Sequence, residues 1–438
     1  AGLYEAALPV FEELLDKHSR DAGVHFDYGR ALAGLKRYEE AEAAYSSALL
    51  LQPDFLKAMN NLAFTLASEN KIERSLAWLD HALRIDPRNQ DTLFNIGYAY
   101  GKSGRLPEAE TRFREVLVLN PRHATAHLNL GLLLEAQGEP DAAIEHFRVA
   151  IAEDDTLALA HHNLAGLLRD QDNPEEALHH YRRALELDPE NPNTPKNTGF
   201  LLVQFGRHDE ARTLFEHTLE LAPDDADAHV GLGDALTALG ALEEAETHYL
   251  RALELAPEHG TALRQYGFLL MRQGKSAKAE NRFEAALKHL PEDAGLYAGL
   301  ADALSARGKV EAAEMNYLKA IELYPEFGLA WNNYGDLLSR NGRNTEAIEA
   351  YNRARALIPD DPNILLNLGR LYAREKNADK AIESLEAALR MDPENLRVRV
   401  LLGDMRLEAG DAAAAAMEYQ QVLLERPDWQ DVRDKLTA

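Results

Sequence analysis

The sequence predicts an all-α fold in which pairs of antiparallel helices repeat every 34 residues. Three regularities carry this prediction. Proline returns at one phase of the period, small residues return at two others, and an aromatic ring returns four residues after the second small residue. A period of this length is typical of a solenoid, in which each repeat buries its apolar face against its neighbours.

Proline marks the period most plainly. It stands at Pro53, Pro87, Pro121, Pro189, Pro223, Pro257, Pro291, Pro325, Pro359, Pro393 and Pro427. The one double-length gap has Asp155 where a proline would be expected. If proline is position 32, twelve repeats begin at Ala22, Leu56, Gln90, Ala124, Ala158, Pro192, Ala226, Gly260, Ala294, Gly328, Pro362 and Leu396. Proline there ends the second helix of a repeat or opens the next helix, because it cannot donate to a helical ladder.

Small and large residues alternate at fixed positions between the two helices. Position 8 is glycine in nine repeats and alanine in three, and position 20 is alanine in eleven repeats. Position 24 is tyrosine or phenylalanine in ten repeats, with Leu79 and Leu385 as the exceptions. Small residues let the helix axes approach, and the ring fills the space beside them. Glycine at position 15 in eight repeats suits a left-handed turn between the helices.

This pattern resembles the tetratricopeptide repeat family, whose signature has small residues at 8 and 20, an aromatic at 24 and proline at 32. The resemblance implies a right-handed superhelical solenoid whose first helices line a concave groove. We expect a single solenoid over residues 1–438. It would comprise the second helix of a truncated repeat over 1–21, twelve repeats over 22–429 and a partial capping helix over 430–438.

Charge and composition exclude several classes of function. The formal net charge of −26 opposes nucleic-acid binding, which depends on cationic neutralisation of phosphates. The chain has no apolar run long enough to insert into a membrane. We expect a cytoplasmic location, with a periplasmic or exported protein as the alternative because the N-terminus looks truncated.

Catalytic and metal sites are not predicted. The chain has no cysteine, and no histidine is followed by glutamate, so the helical zinc-protease motif is missing. His127, His161 and His229 all fall at position 4 of the stripe between helices. We therefore expect no enzyme activity, no metal and no cofactor in this chain.

An asparagine column is the main candidate binding feature. In the family, positions 2, 5, 6, 9, 12 and 13 face the groove, and here they hold ten acidic and eleven basic residues, so the acidity lies elsewhere. Position 6 is asparagine in five consecutive repeats: Asn61, Asn95, Asn129, Asn163 and Asn197. Carboxamides can pair with the backbone of an extended peptide regardless of its sequence. The column is similar to that of the O-linked N-acetylglucosamine transferase repeat domain, but asparagines that cap or bridge neighbouring helices are the alternative.

Three rings accompany the column. Phe64, Phe94 and Tyr98 occupy groove positions where polar residues are expected. Exposed neighbouring rings are candidate anchors for apolar side chains of a partner. The alternative is that they pack against adjacent first helices.

A second patch combines carboxamides and guanidinium groups: Asn333, Asn367, Arg340, Arg370 and Arg374. Together these groups suit a carboxylate. The patch only partly resembles the carboxylate clamp of chaperone-binding repeat domains, because Asn332 and Asp336 replace the lysine and asparagine of that clamp. The alternative is a set of solvated arginines, some paired with Asp336.

Three hypotheses for function follow from these features. The first is a non-catalytic scaffold that binds a protein or an extended peptide in its groove. The second is the substrate-recruiting arm of a protein O-glycosyltransferase whose catalytic domain lies outside this chain. The third is a structural subunit that self-associates end to end, because open solenoid ends are adhesive.

Overall fold

The structure is a computed structural model that describes residues 2–437, so Ala1 and Ala438, which fall within the predicted solenoid, lie outside the described residues. Over the described range the chain forms 26 α-helices and no strand. The helices are α1 Gly2–Lys17, α2 Ala22–Gly34, α3 Tyr38–Leu51, α4 Leu56–Ser68, α5 Ile72–Ile85, α6 Gln90–Lys102, α7 Leu106–Leu119, α8 Ala124–Ala136, α9 Pro140–Glu153, α10 Ala158–Asp170, α11 Pro174–Leu187, α12 Asn193–Gln204, α13 His208–Leu221, α14 Ala226–Leu239, α15 Leu242–Leu255, α16 Gly260–Arg272, α17 Ser276–Leu287, α18 Ala294–Ala306, α19 Val310–Leu323, α20 Gly328–Arg340, α21 Asn344–Leu357, α22 Pro362–Arg374, α23 Ala378–Met391, α24 Leu396–Glu408, α25 Ala412–Glu425 and α26 Gln430–Thr437.

The contacts divide the chain into two compact units, one ending at Ala222 and one beginning at Pro223. The first compact unit contains α1–α13 and the second contains α14–α26. Within each, the first and second helices of a repeat pack side by side, and the second helix packs against the first helix of the next repeat. Even-numbered helices from α2 to α24 are first helices. The single-domain description of the whole chain stays a prediction.

Close packing between the two helices of a repeat explains the small residue at position 8. A Cβ built on Gly131 would lie 2.6 Å from Cε1 of Phe147, and one built on Gly267 would lie 2.5 Å from Cε1 of Phe283. Both rings are fully buried. Such separations are shorter than van der Waals contact. A residue larger than glycine therefore fits at these positions only if the ring moves.

The turn between helices has left-handed backbone at position 15 in all twelve repeats. Eight of these residues are glycines with φ between 69° and 87°. The other four are Lys36, Asn70, Asp172 and Lys376, with φ between 55° and 63°. Lys36 and Lys376 each cost about 1–2 kcal/mol in that conformation, whereas asparagine and aspartate adopt it more readily. The packing of the two helices therefore imposes the left-handed turn. Glycine at this position removes the strain of the turn but is not its cause.

Candidate peptide-binding groove

The predicted asparagine column lies on the first helices α4, α6, α8, α10 and α12 of the first compact unit. Asn95 is buried, and its Nδ2 donates to the backbone oxygen of Asn60 on α4 at 3.1 Å. This contact bridges two first helices, as the structural alternative requires. Nδ2 of Asn197 lies 3.5 Å from Nε2 of His162 on α10, which is a second link between first helices.

Asn129 and Asn163 behave differently from Asn95. Each donates through Nδ2 to the carbonyl oxygen four residues earlier in its own helix, at 2.8 Å for Thr125 and 2.7 Å for Leu159. Both side chains remain partly exposed, and their Oδ1 atoms accept no hydrogen bond from the described residues. The own-helix bond fixes the carboxamide while leaving an acceptor directed away from the helix backbone.

The three predicted rings fall into two separate groups. Phe64 of α4 stacks on Tyr98 of α6 with ring centroids 4.9 Å apart and planes inclined by 27°. Phe64 nevertheless keeps 43% of its surface exposed. Phe94 packs between Phe113 and His123, with centroid distances of 5.5 Å to each ring. The rings therefore pack against neighbouring helices, and Phe64 also presents an open face.

A buried polar network supports this part of the groove, and the sequence patterns did not reveal it. Oγ1 of Thr92 donates to Oδ1 of Asn60 at 2.9 Å, and Nδ2 of Asn60 donates to Oδ1 of Asn89 at 3.3 Å. Asn60 is only 5% exposed. Because Asn60 also accepts from Asn95, this network holds α4 and α6 in register. The signal in the sequence was a second asparagine beside the column, at position 5 of repeat 2.

A pocket of about 470 Å³ opens on the same face. Its lining comes from the first helices of repeats 1 to 4 and from the N-cap residue of α8, and includes Phe26, Arg30, Lys57, Asn60, Asn61, Asp91, Phe94, Asn95, His123 and Thr125. Arg30 contacts Asp27 at 3.3 Å and lies over the Phe26 ring at 5.8 Å from its centroid. Lys57 is exposed and pairs with no acidic side chain among residues 2–437. The pocket thus combines an unpaired cation, apolar rings and carboxamides.

The predicted carboxylate patch lies in the second compact unit, and several of its members have partners within that unit. Arg340 lies 3.9 Å from Asp336, and Nη1 of Arg374 donates to Oγ of Ser339 at 3.2 Å. Nδ2 of Asn333 donates to Asp302 at 3.2 Å, while Nδ2 of Asn367 donates to Oδ1 of Asn332 at 3.2 Å. Arg370 is exposed. These contacts engage the carboxamides and leave the guanidinium groups largely in solvent.

Tyrosine–aspartate pairs distinguish the groove of the second compact unit. In repeats 7, 9, 10 and 12 the position-24 tyrosine donates to an aspartate at position 9, at 2.5–2.7 Å: Tyr249 to Asp234, Tyr317 to Asp302, Tyr351 to Asp336 and Tyr419 to Asp404. Burial raises the pKa of Asp234 and of Asp302, although the tyrosine hydroxyls oppose this effect. Each tyrosine pKa is raised too, first by burial and also by its carboxylate partner.

Histidine pairs occupy the space between helices in three repeats. Nδ1 atoms lie 2.8 Å apart in His127–His146, 2.9 Å apart in His161–His180 and 3.0 Å apart in His229–His248. Burial is the largest cause of the lowered pKa of His180, which falls to about 4, and it also lowers the pKa of His161. Within residues 2–437 no three histidine, aspartate or glutamate side chains are grouped to hold a metal ion.

Family models cover the chain almost end to end. Tetratricopeptide repeat models match residues 1–63, 55–85, 94–158 and 155–224. A model described as the cilia and flagella-associated protein 70 C-terminal domain matches residues 225–432. The chain belongs to the tetratricopeptide repeat (TPR) family. The predicted fold class, an all-α solenoid of helix-turn-helix repeats, is confirmed for this TPR chain.

Solved structures share the TPR fold at low sequence identity. A chain in the crystal structure of the APC/C hetero-tetramer Cut9-Hcn1 is 16% identical, with 100% of this chain and 93% of that chain covered and a TM-score of 0.50. Yeast Tom70 is 19% identical, with 93% and 99% covered and a TM-score of 0.43. YrrB, titled a TPR protein with an unusual peptide-binding site, is 26% identical, with 42% and 95% covered and a TM-score of 0.35. No curated protein matches this TPR chain.

The helices of the TPR chain are short compared with a bilayer. Each repeat helix between α2 and α25 has 12 to 14 residues. In residues 2–437 no helix has the length and apolar character that crossing a membrane requires.

Proposed function

We propose that this TPR chain is a non-catalytic scaffold that binds an extended peptide segment of a partner protein in the groove of the first compact unit. The observation that carries the proposal is the set of groups left without partners on that face. They include the carboxamide oxygens of Asn129 and Asn163, the ammonium of Lys57 and the open face of Phe64. Each can be satisfied by a different part of a peptide.

The carboxamides would meet the peptide backbone. An extended segment presents amide N–H groups at regular spacing, and the free Oδ1 of an asparagine accepts from such a group. The own-helix bonds of Asn129 and Asn163 restrict their rotamers before binding, so less side-chain entropy is lost when the peptide docks. This mode of contact favours backbone recognition over a strict sequence motif.

The pocket beside Lys57 would receive side chains. Its rings at Phe26 and Phe94 suit an apolar residue, and the ammonium of Lys57 suits an acidic one. Asp91 lines the same pocket and repels a second acidic group. We therefore expect partner segments that combine one acidic and one apolar residue close together.

Selection from a random peptide library tests the proposal. Twelve-residue random peptides displayed on phage would be selected on the immobilised full chain, and the enriched sequences would be measured by fluorescence anisotropy. Replacing both Asn129 and Asn163 by alanine removes two backbone hydrogen bonds worth about 1 kcal/mol each, so Kd should rise by roughly 10-fold or more.

Asn316 provides a matched control. Its Nδ2 also donates to the carbonyl oxygen four residues earlier, Ala312, at 2.8 Å, but it lies on the second helix of repeat 9. Asn316→Ala should leave Kd unchanged. If the double variant also binds the selected peptides with wild-type affinity, the column has a purely structural role.

A further inference from the structure

Position 9 and position 24 of the repeats depend on each other. Six repeats have tyrosine at position 24, and four of these have aspartate at position 9 as the hydrogen-bond acceptor. None of the six repeats with phenylalanine or leucine at position 24 has aspartate at position 9. A carboxylate therefore stands at this point of the groove only where a buried hydroxyl needs an acceptor. The two tyrosine repeats that lack it are repeats 1 and 5.

Repeat 1 has an arginine, not a carboxylate, at position 9. Tyr45 faces Arg30 at position 9, and burial raises its pKa to about 12 while the carboxamide of Asn61 opposes that rise. The Tyr45 hydroxyl is not among the fully buried polar atoms that lack a partner. Repeat 5 differs in this respect.

The hydroxyl of Tyr181 in repeat 5 is buried without an acceptor. The side chain is fully buried, and within residues 2–437 its oxygen reaches no acceptor at hydrogen-bonding distance. Burial raises its pKa, an effect that Arg169 and the donor group of Asn197 oppose. Leaving a buried hydroxyl unpaired costs about 1–3 kcal/mol, so the position calls for an acceptor from elsewhere.

Gly166 leaves room for that acceptor. It occupies position 9, and a Cβ added there would be 3.6 Å from the Tyr181 hydroxyl, which is ordinary van der Waals contact. The carboxylate that fills this place in repeats 7, 9, 10 and 12 is thus missing in repeat 5 for lack of a side chain, and no other group of the described residues 2–437 takes over its bond.

The surrounding groups set the charge at this place. Arg169 pairs with Asp170 at 2.8 Å, and the charge of its guanidinium lowers the pKa of the Tyr181 hydroxyl. Asp170 and Glu135 instead raise the pKa of Tyr181. The pKa of Glu135 is itself raised, first by burial and then by repulsion from Asp170. His162 packs edge-on to the Tyr181 ring at 5.6 Å, and burial lowers its pKa. Arg169 is the one cation among these groups and would be the electrostatic partner of an entering carboxylate, whereas Asp170 and Glu135 would oppose its entry.

We propose that a side-chain carboxylate of the bound peptide accepts the hydrogen bond from Tyr181 in the space beside Gly166. The ligand would take the part that the chain's own aspartates play in repeats 7, 9, 10 and 12, where the O–O distances are 2.5–2.7 Å. Access requires surface side chains such as that of Arg169, which is 33% exposed, to move aside. This inference rests on the proposed function and assigns it a specific acidic position.

Two substitutions change the site in opposite ways. Tyr181→Phe removes the donor, and because that donor has no acceptor in the free protein, thermal stability should be equal to or higher than that of the wild type. Gly166→Asp supplies the acceptor from within, as in repeat 7, and should raise the melting temperature. Gly166→Ala is the control, since it adds the Cβ and the helix propensity without the carboxylate.

Two synthetic peptide pools serve as probes of binding. Both contain blocked dodecapeptides with the same random flanks, and the central residue is aspartate or glutamate in one pool and asparagine or glutamine in the other. The wild type should retain the acidic pool at least about 10-fold better, in keeping with a charge-assisted hydrogen bond. Tyr181→Phe and Gly166→Asp should both reduce this preference to the part that Lys57 contributes while still retaining the amide pool, and Gly166→Ala should keep the full preference.

The outcomes separate this inference from the proposed function. Retention of both pools with an unchanged acidic preference in Tyr181→Phe and Gly166→Asp overturns the Tyr181 site and leaves groove binding intact. A lower melting temperature for Tyr181→Phe also overturns it, because the hydroxyl then has an internal partner. If the wild type retains neither pool, both proposals are wrong.

Discussion

The two compact units use the same repeat to build grooves of different chemistry. In the first, carboxamides and rings project from the first helices, and Asn129, Asn163 and Tyr181 keep hydrogen-bonding capacity that no group in the described part of the chain uses. In the second, the hydroxyl of Tyr317 is bound to Asp302, and Asp302 in turn accepts from Asn333 of the next repeat. The comparison teaches that one scaffold can either consume its polar groups internally or leave them for a partner.

The cost of internal pairing appears in the second unit. Asp234 and Asp302 are partly buried, and that burial raises their pKa because the charged form loses part of its hydration. The tyrosine and the carboxamide of the next repeat compensate for part of this loss. The pairs therefore stiffen the groove of the second unit at a site where a ligand would have to compete with them.

We expect the largest loss of stability from a substitution that breaks one of these tyrosine–aspartate pairs. Tyr317→Phe leaves the buried Asp302 carboxylate without its hydroxyl donor, and we expect the free energy of unfolding to fall by about 2 kcal/mol. Urea denaturation followed by circular dichroism measures this change. Tyr181→Phe, the same chemical change in the first unit, should cause no loss. Equal losses in the two variants would contradict the difference between the units.

Acidification should weaken the histidine pairs, of which the first unit has two and the second has one. The pKa of His180 is lowered to about 4 in the folded chain, so the folded state favours neutral histidine and stability falls as pH drops below about 6.5. The loss from His180 alone should reach about 2 kcal/mol at pH 5 and level off below pH 4.

Repeat 11 supplies the matched replacement for this pair. It has Leu365 and Ser384 at the positions of His161 and His180. Introducing leucine and serine at those two positions should remove about 2 kcal/mol of the stability difference between pH 7 and pH 5. Parallel urea titrations at the two pH values give the answer. If the double variant loses as much stability between pH 7 and pH 5 as the wild type, protonation of groups other than this histidine pair causes the loss.

The smallest expected effect concerns the arginines of the second unit. Arg340 is 72% exposed on its side chain and lies 3.9 Å from Asp336. An exposed pair of this kind contributes about 0.5 kcal/mol or less, so Arg340→Ala should barely change the denaturation midpoint, with or without 1 M salt. A loss above about 1 kcal/mol would indicate that the patch is a coupled network.

Much of the groove could be read from the sequence, although its hydrogen bonds could not. Position 6 placed Asn95 and Asn129 on equivalent faces, yet one bonds to a neighbouring helix and the other to its own. The difference depends on whether a carbonyl such as that of Asn60 comes within reach. By contrast, the sequence does contain the relation between positions 9 and 24, because aspartate stands at position 9 only in repeats with tyrosine at position 24.

The repeat follows from the sequence pattern, because a 34-residue period of small residue, ring and proline fits two closely packed helices that stack on the next pair. Tertiary structure alone decided which polar groups remain available. Asn95 and Asn129 occupy the same position of the repeat, but only packing decides whether the carboxamide donates to a neighbouring first helix or to its own helix. The physical reason is that a hydrogen bond depends on a few tenths of an ångström between repeats, whereas burial of apolar surface depends only on pattern.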